Sequence, residues 1–202
     1  MKEIFYEESA LTQDERSAKA KYNIFKIISI SSYVFLGLWV FIVFFFFEIF
    51  EGNIWLNLIF IILPMAMFFC SGFFTGRLKN KFYVDYDYTF VSGSLRFSKV
   101  IKNVKRKFII KFDCSTIEKL GKYGSELYQK YEKMQGISKM ILTSNYTPAE
   151  NKDFYYMAVN VDGDKKLIVL ECSETLILNV LKFSSKTILD QEYIKELSNK
   201  KV

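Results

Sequence analysis

Between Arg96 and Lys111 the chain carries seven basic side chains (Arg96, Lys99, Lys102, Lys105, Arg106, Lys107 and Lys111) and no acidic one. The chemistry open to such a run is attraction of an anionic surface. Lys99, Lys102, Lys105, Arg106 and Lys107 lie within nine residues of one another and form the candidate lipid- or partner-binding site. Each Lys or Arg held near an anionic leaflet gains about 1 kcal/mol. The competing reading is a solvated hairpin that keeps its domain soluble.

Other reactive groups are sparse. Asp85-x-Asp87 and Asp162-x-Asp164 pair carboxylates, but neither follows a calcium-loop pattern. The first pair reads as the solvent side of a strand and the second as a turn. The three cysteines (Cys70, Cys114 and Cys172) have no C-x-x-C partner, and the chain contains no His. A zinc site and a disulfide framework are therefore not expected, and buried free thiols are. With no G-x-S-x-G elbow and no phosphate loop either, triads and nucleotide chemistry lose their usual parts. The expectation is a protein without catalytic residues, metal or cofactor.

The elements that must position the basic run begin with two uncharged apolar segments, Ile27 to Phe47 and Ile54 to Phe74, of 21 residues each. At about 1.5 Å per residue each covers the ~30 Å hydrocarbon core of a bilayer. Backbone polar groups cannot go unpaired in lipid, so both are expected as transmembrane helices, a hairpin over 27–74. Lys19, Lys21 and Lys26 precede the first span, and Arg77, Lys79 and Lys81 follow the second. The loop between them, Glu48-Ile49-Phe50-Glu51-Gly52-Asn53, has no Lys or Arg. The positive-inside rule then places a two-span protein in the cell membrane with both termini cytoplasmic. Gly72 and Gly76 are spaced to let another helix approach closely.

The domain organisation read from this pattern is a cytoplasmic segment and helix over 1–26, the hairpin, a β-rich domain over 82–184, and a charged tail over 185–202. Thr12-Gln13-Asp14-Glu15 fits a capping box with Thr12 as N-cap. The first nine residues are read either as an interfacial segment or as a strand on the later domain. Residues 82–202 carry 20 basic and 15 acidic groups, against 8 and 7 in residues 1–81, so the positive balance belongs to the soluble part.

From Phe82 the period switches to two. Phe82, Val84, Tyr86, Tyr88 and Phe90 alternate with more polar neighbours, and aromatic core packing is the ordinary use of such a stripe. Val91-Ser92-Gly93-Ser94 and Lys102-Asn103 read as turns. Val104, Phe108, Ile110 and Phe112 are expected on one face of a third strand, against Lys105, Lys107, Ile109 and Lys111. Ser125 reads as a helix N-cap, Asp162-Gly163-Asp164 as a hairpin turn, and Leu176, Ile177, Val180 and Leu181 as the buried stripe of a closing helix. The charged tail has the pattern of one more amphipathic helix through Ile188, Tyr193, Ile194 and Leu197. The fold class is a membrane α-helical hairpin plus an α+β cytoplasmic domain, a small barrel or sandwich capped by a C-terminal helix.

This order of elements resembles bacterial pleckstrin-homology-like (PH-like) domains. The run Tyr86-Asp87-Tyr88-Thr89-Phe90-Val91-Ser92-Gly93-Ser94-Leu95, with Lys105-Arg106-Lys107 after it, resembles more specifically an uncharacterised family of Gram-positive two-helix membrane proteins. The likeness spans Phe5 to Leu181; the segment after Ser184 departs from the short basic ending of that family. The resemblance implies a PH-like fold beside membrane helices and brings no catalytic residues.

The expected function is that of a non-enzymatic, membrane-anchored binding or scaffolding protein contacting anionic lipid headgroups or a partner protein. The alternative is an accessory or sensor subunit that assembles through its helices with another membrane protein or with its own copies. Nucleic acid is disfavoured as a partner, because a membrane tether restricts access.

Overall fold

The computed structural model describes residues 4–45, 54–184 and 187–199, with side chains up to 195 in the last helix. The acidic loop 48–53 and the side chain of Leu197 lie outside the described residues. The chain forms two compact units, residues 14–83 and residues 1–13 with 84–202.

The first unit is a helical hairpin of α1 (Glu15–Phe45) and α2 (Ile54–Leu78). Both helices are long and apolar enough to cross a membrane. Only 11% and 6% of their most apolar windows are buried, the reverse of a helix in a soluble core. Ser29, Ser32 and Trp39 pair with groups of α2. Ser29 Oγ donates to the Gly72 carbonyl at 2.9 Å, Ser32 Oγ to Ser71 Oγ at 3.1 Å, and Trp39 Nε1 to the Ile61 carbonyl at 3.2 Å. A Cβ on Gly72 would sit 3.0 Å from the Tyr33 ring, and one on Gly76 3.0 Å from Ser29 Oγ. The close approach that this glycine spacing allows is therefore taken by α1 of the same chain. Asp14 caps α1, its Oδ1 accepting from the Ser17 N–H at 3.0 Å. Thr12, the expected cap, is used elsewhere.

The second unit contains two four-stranded sheets. The first, antiparallel and ordered β1-β2-β3-β4, consists of β1 (Phe5–Ala10), β2 (Val84–Val91), β3 (Ser94–Ile101) and β4 (Lys105–Asp113). The N-terminal segment is thus a strand, with Tyr6 opposite Phe90 and Glu8 opposite Tyr88. The chain leaves for the hairpin from one strand and returns in its neighbour. The second sheet is ordered β5-β7-β8-β6, from β5 (Ile117–Lys122), β6 (Ser138–Ile141), β7 (Asp153–Val161) and β8 (Asp164–Cys172). β6 runs parallel to β8, which a meander would not produce. Among the described residues no ladder joins the two sheets, so they do not close into a barrel.

One core lies between the sheets. Tyr88, Phe90, Leu95, Phe97 and Ile110 come from the first, and Met157, Ile168 and Leu170 from the second. Leu176, Ile177 and Val180 of α4 (Glu174–Phe183) join it. A smaller cluster on the other face of the second sheet packs Tyr156, Ala158, Leu167 and Val169 under Tyr128 of α3 (Glu126–Lys133). Ser125 caps α3 as expected, its Oγ accepting from the Tyr128 N–H.

The compact unit is wider than the 82–184 expected, because β1 and the tail both belong to it. Leu120 N–H donates to the Ile188 carbonyl and Asp190 N–H to the Leu120 carbonyl, each at 2.8 Å. Ile188 and Tyr193 are buried in the main core, and Tyr193 opens α5 (Gln191–Asn199) two residues in. The tail comes so close that a Cβ on Gly121 would lie 2.7 Å from the Asp190 Cβ.

Candidate functional site

The basic run folds as the β3–β4 hairpin. Its turn puts Lys102 and Asn103 at φ +55° each, a left-handed conformation that Asn tolerates better than Lys. The register sets Lys99 opposite Lys107, Val100 opposite Arg106 and Ile101 opposite Lys105. Farther along, Phe97 faces Ile110 but Ser98 faces Phe108, so Ile109 is an extra residue, a β-bulge. One added residue exchanges the faces of the strand beyond it. Ile110 and Phe112 point into the core. Past the bulge, Lys105 and Lys107 continue that side of the sheet, while Arg106 and Phe108 lie on the other. The expected grouping of Phe108 with Ile110 and Phe112 is thus corrected; Phe108 is 52% exposed.

The five candidate residues are consequently divided. Lys99 (half-buried), Lys105 and Lys107 share one face, with Lys99 and Lys107 directly across the ladder. Like charges so placed, about 5 Å apart at Cβ, repel and favour a counter-anion. Lys102 is at the turn, beside a Val104 that is 82% exposed. Arg106 lies on the opposite face and is not unpartnered. Its Nε stands 3.2 Å from Asp87 Oδ2. The basic run holds no acid of its own, but the sheet supplies one from β2. Arg96, on that same face, lies over the Phe108 ring at 5.5 Å.

Asp85 and Asp87 are buried, at 4% and 7% exposure, which corrects the solvent-facing expectation for this pair. Asp85 Oδ1 accepts from the Thr12 N–H at 2.7 Å, and Asp87 Oδ1 from Ser9 Oγ at 2.7 Å. They anchor the segment that leads toward α1. Two further buried carboxylates, Glu171 and Asp190, and the half-buried Glu8 escaped sequence reading. Glu171 accepts from Thr143 Oγ1 at 2.6 Å, Asn145 Nδ2 at 2.8 Å and the Ala149 N–H at 2.9 Å, ordering the loop around Pro148. Glu8 accepts from the Ser173 N–H at 2.9 Å and meets Lys152 Nζ at 3.2 Å. Asp190 Oδ2 accepts from Ser125 Oγ at 2.8 Å and the Tyr156 hydroxyl at 3.1 Å. Each links segments far apart in the chain, and no local spacing signals such a bond. Among the described residues no group of three His, Cys, Asp or Glu could hold a metal ion.

Burial raises both thiols of the β-rich unit. Burial, with the Asp113 charge adding to it, pushes Cys114 up to about 12. Burial raises Cys172 well above the ordinary thiol range. Neither has the lowered pKa that makes a thiolate nucleophile. Two surface cavities, of about 270 and 440 Å³, lie at the start of α5 and the start of α4. No hairpin residue lines either, and Lys105 to Phe108 at the start of β4 are all exposed.

A family model described as a bacterial PH-like domain (DUF6106) matches residues 6–190. The match begins in β1 and ends at Asp190, so it takes in the first strand and the docked start of the tail. No curated protein and no solved structure matches the chain.

Proposed function

This chain belongs to the family of bacterial PH-like domains, and we propose that it is a non-enzymatic, membrane-anchored binding module. Its hairpin helices cross the cell membrane twice, with both termini in the cytoplasm, and its PH-like unit uses the β3–β4 hairpin to contact anionic lipid headgroups. The observation that carries the reading is the clustering of Lys99, Lys105 and Lys107 on one side of the sheet with Lys102 at the tip. Lys102, Lys105 and Lys107 are exposed. Their charges reach headgroups while the side chains stay in the wet interface, so little desolvation opposes the attraction. The tether formed by the two helices makes a weak contact sufficient, because it raises the effective concentration of the leaflet.

The full chain in nanodiscs tests this. Lys102, Lys105 and Lys107 are expected to acetylate more slowly with phosphatidylglycerol than with phosphatidylcholine alone. The protection is expected to fade as salt shortens the Debye length from ~10 Å at 0.1 M to ~3 Å at 1 M. Equal acetylation in both lipids would refute headgroup contact. The orientation is tested separately with a Cys placed at Asn53, which is expected to react with an impermeant thiol reagent in intact cells.

A further inference from the structure

Each sheet has two edges, and among the described residues three of the four are occupied or short. β1 is engaged by Lys152, whose Nζ donates to the Ser9 carbonyl at 2.6 Å, and by the Glu8–Ser173 bond. β5 is bridged through Leu120 to residues 188–190. β6 has four residues. β4 has nine, and among the described residues no backbone group pairs with its outer side.

An open edge is a template for another strand. Here the strand carries Lys105, Arg106, Lys107 and Lys111, all exposed. These charges repel a second β4 edge and so oppose pairing between copies of this chain, while they attract an acidic strand. The bulge sorts the contacts before Ile109: Lys105 and Lys107 on one face of β4, Arg106 and exposed Phe108 on the other.

We propose that β4 accepts an extended acidic segment of a partner protein as an added strand. Acidic side chains at alternate positions meet Lys105 and Lys107, and the intervening apolar side chains meet Phe108. Affinity comes from main-chain hydrogen bonds to the β4 edge, and specificity from this alternation. The inference goes beyond leaflet contact and would stand if the lysines proved indifferent to headgroups.

The test uses the full chain in micelles of a zwitterionic detergent and a fluorescein-labelled nine-residue peptide of alternating Glu and Val, read by anisotropy. Two versions of the peptide are N-methylated on one or the other alternate set of amides. The parent peptide is expected to bind, one methylated form to lose binding, and the other to retain it, because an added strand donates from one edge alone. A Lys/Val peptide is expected not to bind. The Lys105→Gln/Lys107→Gln variant, its melting temperature checked against the parent protein, is expected to bind the Glu/Val peptide several-fold more weakly. Absence of parent binding, or equal behaviour of the two methylated forms, would overturn the proposal. Equal binding by both would instead mark a surface for polyanions such as a leaflet. Undiminished binding by the Gln variant would overturn the role given to the lysines.

Discussion

The two sheets of the β-rich unit treat their faces differently. In the second, Tyr155 to Val159 and Leu167 to Cys172 are buried without a break, because the main core lies on one side and α3 on the other. In the first, β4 alternates buried and exposed positions only from Ile110 onward, and its first four residues are all exposed. The first sheet also buries Asp85 and Asp87 on the side away from the core, so its open surface is confined to the β4 end, where it has an exposed face and an edge. The contrast places continuous burial in the second sheet and open surface at the β4 end of the first. It also explains why the charged run tolerates like-charge neighbours, which cost little in an exposed hairpin and would be prohibitive between α3 and the core.

The contrast can be broken most severely in the second sheet. Leu170→Ala is expected to cost about 2–5 kcal/mol, the range for a fully buried Leu, whereas Val104→Ala is expected to cost no more than about 0.5 kcal/mol. Thermal melts of the full chain in micelles measure both, and comparable losses would erase the distinction. Glu171→Ala comes next, at roughly 1–3 kcal/mol, because the donors of Thr143, Asn145 and Ala149 lose their acceptor. Its characteristic readout is faster amide exchange in residues 143–150, without loss of protection in β3 or β4.

Alkaline pH sharpens the comparison by acting on the buried side. The Cys114 thiol, ordinarily near 9.0, is raised to about 12 in the folded protein. The unfolded state therefore loses this proton first, and stability is expected to fall as pH climbs from about 9 toward 12. Cys114→Ala is expected to flatten that slope, and an unchanged slope would remove Cys114 as a contributor. The smallest effect belongs to the exposed side. Arg106→Gln is expected to cost about 1 kcal/mol or less, since the arginine is 70% exposed. Lys107→Gln, without a carboxylate opposite it, is expected to leave the melting temperature unchanged or slightly raised. A larger loss for Lys107→Gln than for Arg106→Gln would reverse the assignment of faces.

Legibility in the sequence followed the range of the interactions. The spans, the turns at Ser92-Gly93 and Asp162-Gly163, the Ser125 cap and the stripe of α4 rest on contacts within a few residues, and all four occur where the pattern places them. The Thr12 cap failed although its local pattern was good, because the Thr12 N–H donates to Asp85 and its Oγ1 to the Val84 carbonyl, partners more than 70 residues away. The basic cluster was visible as composition, but its division between two faces was not.

The sequence by itself determined the two uncharged apolar stretches inside the helices, the concentration of positive charge at one hairpin, and the order of elements shared with PH-like domains. These follow from chain chemistry and from periods of 3.6 and 2, which any segment carries alone. Tertiary structure decided the rest. Ile109 became a bulge only against β3, and that single extra residue put Phe108 outside and the lysines together. Asp87 became the partner of Arg106 only once β2 and β4 both lay beside β3, and Gly121 became a point of close approach only when Asp190 docked on it. Each depends on register between segments distant in the chain, and register is set by the packing of the whole core.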